Sequence, residues 1–493
     1  MKYSLIFISL LLSTITLYSQ SEKEKVEATI TKNKIEGHIY FLADDLLKGR
    51  ATSTPENKIA ASYLANTLRG YGVKPVSAMD GYYQQIKLSK TTSPTRLALN
   101  LGGQEFKNKI AMKAENITFS GMAIYLGYGL EEDYTGKDVS EKIIVVKGGA
   151  SNGMDAFSAF SLTTKKQQLA LQHGAVALVE FIDTDDNTWS KIDHYANSDR
   201  QFLAGDENPG DSKKDLSHLW VQDKNGALAA QFNKKENIKS EIRIEGVTKT
   251  TVYSQNVVGM LEGTDPLLKD EFIIYSAHYD HVGIGSPDAT GDTIYNGARD
   301  NAVGTTTVLS IAENIAKFPT KRSALFILFT GEEKGLLGSQ YYADNPILPL
   351  KKMVYCFNSD NAGYNDTSLI VGIGMTRTTA ADKIEQAAKA FGLTAVDNVA
   401  PEQGLFDRSD NVSFAKKGIP APTFALGFRT FDGDVTKYYH QPGDEAETLD
   451  YDYLLKFFKA YVLSGRLIAN DPVTPKWMPG DKYEEAGKKL YGY

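Results

Sequence analysis

The chain of 493 residues has a single cysteine, Cys356, so no disulfide framework can form within it. Its neighbours Val354 to Phe357 are small or apolar and place Cys356 in a buried strand with no chemical role. A basic excess is also missing, since 54 Lys and Arg stand against 61 Asp and Glu for a formal charge of -7. A nucleic-acid footprint needs a basic face, so no nucleic-acid partner is expected. Long apolar runs are absent but for one. Leu5 to Leu17 follow Met1-Lys2 and give way at Ser21 to Glu22-Lys23-Glu24-Lys25. That is the layout of a signal peptide over residues 1–20, too short for a comfortable span. No cysteine closes the run, which argues against lipidation. The expectation is an exported protein, periplasmic or secreted, with no stable membrane span after cleavage. Oligomeric state is not legible. Histidine is scarce as well, with seven in all, and two of them share one stretch.

What is present is enough apolar material for large cores, 42% hydrophobic and 11% aromatic. Helical spacing runs through Ile35, Ile39, Leu42 and Leu46. Thr54-Pro55-Glu56 reads as an N-cap, a first-turn proline and an acidic position ahead of a second helix that stops at Gly70 and Gly72. Leu47-Lys48-Gly49-Arg50 between them reads as a turn, and His38 as a helix residue rather than a ligand. From about 85 to 250 short β-like runs (Ile124 to Leu126, Ile143 to Val146, Val176 to Phe181, Ile242 to Ile244) alternate with turns, around one helix from Thr164 to Gln172. His173, His194 and His218 lie here without a second ligand type at useful spacing and read as solvated. Asp183 to Asp186 reads as a wet loop.

From about 251 apolar strands alternate with helices, which implies an α/β fold with a mostly parallel, mixed central sheet and helices on both faces. Such sheets place their sites just beyond the C-terminal strand ends. Phe272-Ile273-Ile274-Tyr275 runs into Ser276-Ala277-His278-Tyr279-Asp280-His281. His278 and Asp280 are two apart and share a face in an extended backbone. Ala324 to Thr330 ends in Gly331-Glu332-Glu333, and Val354 to Asn358 ends in Ser359-Asp360. Asp300-Asn301 precede a helix beginning near Val303, and Tyr438-Tyr439-His440 comes late. Each piece alone has a plain reading as a cap or a turn. Together they converge on one sheet edge.

The motifs SAHYDHVG, ARDNAVGTTTVL, FTGEEKGLLGSQYY, NSDNAG, RSDNVSFAKKGIPA and YYHQPGD run in order over roughly 250 to 470. They resemble the M28 family of co-catalytic dizinc metallopeptidases, of the secreted bacterial aminopeptidase type. HIYFLADDLLKGR resembles the lead-in of exported members, and GYGLEEDYTGKDVSEKIIVVKGGA an inserted protease-associated (PA) domain. The resemblance implies a phosphorylase/hydrolase-like zinc exopeptidase fold with a small β-rich PA-like insertion. The implied division is signal 1–20, N-terminal part of the peptidase domain 21–110, PA-like domain 111–249, catalytic domain 250–472 and a tail 473–493. It further implies two Zn2+ ions per chain: Asp300 bridges them, His440 and Glu333 complete one site, and His278 and Asp360 the other. Asp280 would orient His278, Glu332 would be the general base, and the Asp300–Asn301 peptide bond would be cis.

Two imidazoles and three carboxylates leave about one positive charge on two divalent ions, which a hydroxide would neutralise. Nitrogen and oxygen donors without thiolate suit zinc. The adjacent Glu332 and Glu333 diverge, so one can bind metal while the other handles a proton. Tyr439 could donate to an oxyanion. His281 reads as a neighbouring loop residue rather than a ligand, and Arg408 and Asp410 as a pair rather than as substrate contacts. Arg299 stands where many members have an acidic residue, and Val303 where many have serine. The expected function is an exported zinc exopeptidase removing N-terminal residues from peptides. The alternatives are carboxypeptidase or glutaminyl-cyclase-like chemistry on the same fold, or a non-catalytic binding protein on that scaffold.

Overall fold

The computed structural model describes residues 20–492, apart from 152, 154, 155, 197, 198 and 206–215. The apolar leader, but for Gln20, and the His194 side chain lie outside the described residues.

The strand Phe272–His278 is buried at every position, as a strand covered on both faces must be. Its side chains alternate between two cores. Ile273, Tyr275 and Ala277 join the helices Lys32–Leu42, Pro55–Gly70, Gly304–Lys317 and Tyr451–Asn470 on one face. Phe272 and Ile274 join Phe414, Ile419 and Trp477 on the other. The sheet has nine strands in the order Thr394–Val396, Leu369–Ile373, Thr423–Leu426, Met353–Ser359, Phe272–His278, Ser323–Phe329, Lys249–Leu261, Tyr83–Thr91 and Arg200–Leu203. Its centre is parallel, from Ser323–Phe329 through Phe272–His278 and Met353–Ser359 to Thr423–Leu426. Antiparallel pairings join Ser323–Phe329 to Lys249–Leu261, the latter to Tyr83–Thr91, and Leu369–Ile373 to Thr423–Leu426. The sheet is therefore mixed, and parallel chiefly where the alternation of strands with helices is uninterrupted. The Thr54 cap is as expected: its side chain accepts from the Asn57 N–H at 3.2 Å, and Pro55 opens the helix.

A second, eight-stranded sheet is inserted between Tyr83–Thr91 and Lys249–Leu261. Its middle strands Ile117–Tyr125, Ile143–Lys147, Ala177–Ile182 and Ser217–Gln222 are parallel, with the helix Ala156–Gln172 among them. It begins at Arg96, after the change of texture near 85 and before the boundary at 111 implied by the resemblance. The reason is packing: Leu99 and Leu101 enter the core of this sheet, where Arg96–Leu101 pairs with Ile238–Glu245. Arg200–Leu203 then leaves the unit and pairs with Tyr83–Thr91 on the first sheet.

His173 stacks on Tyr134, with ring centroids 4.3 Å apart. His218 is not solvated but fully buried, with Nε2 3.1 Å from Glu180, because its strand is covered on both sides. His38 lies between the Tyr63 and Tyr71 hydroxyls at 2.7 and 2.9 Å. Among the described residues no helix is long and apolar enough to cross a membrane.

Candidate metal centre

Three adjacent parallel strands run in the same direction, so their C-terminal ends meet at one edge. Phe272–His278 delivers His278, Met353–Ser359 delivers Asp360, and Ser323–Phe329 leads through Gly331 to Glu332 and Glu333. Asp300 arrives from an irregular turn, Ala298–Val303, ahead of the helix Gly304–Lys317, and the Asp300–Asn301 peptide bond is cis. Asn301 ties this turn to the strand ends: its amide donates to the Ser359 carbonyl at 2.9 Å and its oxygen accepts from Gly304 N–H at 3.0 Å. A side chain at Gly304 would lie 2.4 Å from the Ser359 carbonyl, so only glycine permits that approach. His440 comes from a loop before Tyr451–Asn470 and is about a third exposed.

Asp300 sits between two donor sets. Its Oδ1 is 3.2 Å from His278 Nε2, and its Oδ2 is 3.2 Å from His440 Nε2. On the first side Asp360 Oδ1 is 3.3 Å from His278 Nε2. On the second, Glu333 Oε2 is 3.1 Å from His440 Nε2. Two ligands on one tetrahedral zinc at about 2.0–2.1 Å would stand about 3.3 Å apart. His440 Nε2 is buried and, despite two nearby carboxylates, makes a well-aligned hydrogen bond to neither. The spacing fits donors that share two common points, although His278 Nε2 also makes a hydrogen bond to Asp360 Oδ1. His278, Asp300 and Asp360 form one group, and Asp300, Glu333 and His440 lie in the other.

The electrostatics agree. Burial opposes charge on His278, yet the Asp360, Glu332 and Asp300 carboxylates hold its pKa well above the usual imidazole value. Burial likewise opposes charge on His440, and the Glu333 and Asp300 carboxylates overcome it. Burial raises Glu333 and Asp300 but is outweighed by histidine contacts, leaving Glu333 well below its ordinary range and Asp300 at about 2. The carboxylates are thus built to face positive charge. Glu332 goes the other way: burial, aided by Asp360 and Glu333, raises it well above a normal glutamate despite His278. A raised carboxyl beside carboxylates that stay charged has the character of a proton carrier.

Asp280 occupies its expected place but orients His278 through its backbone. The Asp280 carbonyl lies 3.1 Å from His278 Nδ1, whereas its carboxylate is at 3.9 Å. That carboxylate accepts instead from Thr52 Oγ1 at 2.6 Å and from the Glu332 N–H at 3.2 Å. Tyr439 lines the same cleft as Asp300, Glu332 and Asp360, with its ring stacked 4.0 Å from that of His440. His440 pulls the Tyr439 pKa down, but burial, Asp300 and Glu333 outweigh it and leave it at about 12.

His281, read as a neighbouring loop residue, is fully buried, and its Nδ1 lies 2.8 Å from Glu333 Oε1, within the group that also holds Asp300 and His440. Arg408 and Asp410 do not pair. Arg408 is exposed along the cleft, and Asp410 is buried with both carboxylate oxygens lacking a hydrogen bond, because the short turn Leu405–Arg408 ends between them.

Arg50 reads in the sequence only as part of a turn, and its role is not legible there. It is fully buried and donates to the carbonyls of Tyr279 at 2.7 Å, Leu42 at 2.8 Å, Gly297 at 2.7 Å and Asn296, with Asp300 O at 3.5 Å. It therefore holds both the loop after His278 and the turn that carries Asp300. Its only sequence signal was a Gly-Arg in the lead-in.

Comparison with known proteins supports the family read from the motifs. Residues 256–463 match the model of Peptidase family M28. The chain is 25% identical over 397 residues to Aminopeptidase YwaD of Bacillus subtilis (strain 168), covering 77% of this chain and 74% of that protein. It is 26% identical over 238 residues to Aminopeptidase Y of Saccharomyces cerevisiae, covering 45% of this chain and 39% of that protein. An aminopeptidase from Aneurinibacillus sp. strain AM-1 superposes with a TM-score of 0.68 at 22% identity, over 93% of this chain and 98% of that one. BSAP, a zinc aminopeptidase from Bacillus subtilis, superposes with a TM-score of 0.58 at 19% identity, over 90% and 97%. At these identities the structural likeness is one of fold, and it spans both sheets.

Proposed function

We propose that the chain is an exported, zinc-dependent aminopeptidase that holds two ions, one between His278, Asp300 and Asp360 and the other between Asp300, Glu333 and His440. The observation that carries this reading is the Asp300 carboxylate, whose two oxygens each stand 3.2 Å from a different imidazole. Bound zinc would supply Lewis acidity and a water acidic enough to attack near neutral pH. Glu332 takes the proton from the attacking water and delivers it to the leaving amine. The Tyr439 phenol stays protonated and donates to the carbonyl oxygen as charge develops there. Ile373, Leu405, Phe428 and Phe431 line the cleft and accept an apolar side chain. Removal of the N-terminal rather than the C-terminal residue is favoured by the likeness to proteins named aminopeptidases.

The inserted sheet is proposed to be PA-like, in keeping with its place in the chain. The test is digestion of a defined peptide library with and without chelator, read by mass. Chelator-sensitive ladders shortening from the N-terminus are expected. Shortening from the C-terminus, or folded protein without bound metal, would overturn the reading.

A further inference from the structure

The two metal sites are not held in the same way. His278 and Asp360 continue directly from strands of the central sheet. His440 sits on a loop, and its backbone has φ +51°. Among the described residues, the hydrogen bonds that tie Tyr438–Asp444 to other elements all run through Asp444. Asp444 is buried, and its carboxylate accepts from the backbone N–H of Arg299 at 3.0 Å and of Asp300 at 3.2 Å. The Asp444 carbonyl accepts from the Ala298 N–H at 3.0 Å.

The Arg299 guanidinium completes the junction. Nη1 donates to the Asp444 carboxylate at 2.9 Å and to Thr448 Oγ1 at 2.7 Å, while Nη2 donates to the Thr448 carbonyl at 2.8 Å. Its face lies 4.0 Å from the centre of the Tyr438 ring, two residues before His440. Arg299 and its partner thus clasp the chain on both sides of His440 and bind it to the residue next to Asp300. Arginine suits this place because its planar fork serves two acceptors while its face packs on an aromatic ring. An acidic side chain at 299 would instead face Asp444.

We propose that Arg299 is a positioning residue for one metal site only. Through Asp444, Thr448 and Tyr438 it sets His440 against Asp300 and Glu333, and the site at His278 and Asp360 does not depend on it. The inference rests on the two-ion reading above and is tested by zinc binding rather than turnover. Chelated protein is returned to zinc, and its binding isotherm is recorded by calorimetry for the unchanged chain and for Arg299→Met. The unchanged chain is expected to take two ions. Arg299→Met keeps one with unaltered affinity and binds the other about 10–100-fold more weakly, the usual loss when a residue supporting a ligand is removed.

Arg299→Lys retains the charge beside Asp444 but not the fork to Thr448, so it restores the second affinity in part. If Arg299→Met does not fold, Arg299→Lys decides, with the same selective loss at smaller size. Equal weakening at both sites, or none at either, overturns the inference while two ions in the unchanged chain leave the function standing. No zinc in the unchanged chain overturns both.

Discussion

Arg50→Met is the most demanding prediction. The substitution keeps much of the aliphatic volume and removes every donor. Among the described residues, the carbonyls of Leu42, Tyr279 and Asn296 have no other hydrogen-bond partner, so three buried acceptors lose their only one. An unsatisfied buried acceptor costs about 1–3 kcal/mol. Part of that sum returns because the guanidinium no longer has to be stripped of water, a cost visible in the lowering of its pKa to about 10 by burial, which nearby carboxylates offset only in part. The expected net loss is about 3–5 kcal/mol, as for breaking other buried charged contacts. It is measured by urea unfolding of the zinc-loaded protein. Arg50→Lys should recover only a fraction, since one ammonium cannot reach carbonyls on three segments. Because Asn296 and Gly297 lead into Asp300, zinc affinity should fall too. A stability loss below about 1 kcal/mol with zinc binding intact would refute the account of Arg50, since even one orphaned carbonyl costs that much.

Further outcomes follow from the same geometry. Glu332→Gln should lower kcat by about 10²–10⁴-fold with zinc content unchanged, as for loss of a general base; zinc loss would make Glu332 a ligand instead. Metal analysis of Asp300→Asn should show both ions weakened, whereas His440→Ala should lose one; equal losses would deny the shared carboxylate. In chelated protein, burial raises Asp410 to about 7, so the folded chain binds this proton more tightly than the unfolded chain does. Its penalty is absent below about pH 4, grows up to pH 7 and is full above, with a ceiling of about 4 kcal/mol. Asp410→Asn should therefore stabilise increasingly across that range, and a pH-independent change in unfolding free energy would contradict this.

The site was legible where chemistry stands at the end of an apolar run. His278 and Asp360 stand at the ends of fully buried strands, Glu332 and Glu333 follow another within four residues, and parallel strands bring such ends together. Asp300 and His440 were reached through the motif resemblance, and the structure brings both to the same edge. What stayed hidden depends on main-chain partners far away in sequence. Arg50 bonds carbonyls 229 to 247 residues on, and no side-chain pattern announces a carbonyl. Pairing Arg408 with Asp410 assumed that nearness in sequence means contact, but the backbone changes direction at Ser409. The second sheet was visible as a change of texture. It starts at Arg96, between the change of texture near 85 and the boundary at 111 that the resemblance implied.

The strand Arg200–Leu203 gives the architecture a constraint of its own. It belongs to the insertion by sequence and to the nine-stranded sheet by hydrogen bonding. Beside it, the Gln201 amide donates to the Thr52 carbonyl at 3.1 Å, and the Thr52 hydroxyl holds Asp280. Cutting out residues 92–248 would thus leave Tyr83–Thr91 as a bare edge, a template for pairing with another chain. It would also strip a support from the loop after His278. The two units cannot be traded as interchangeable modules. A chimera with a foreign insertion needs a replacement for this returning strand before its metal site can be judged.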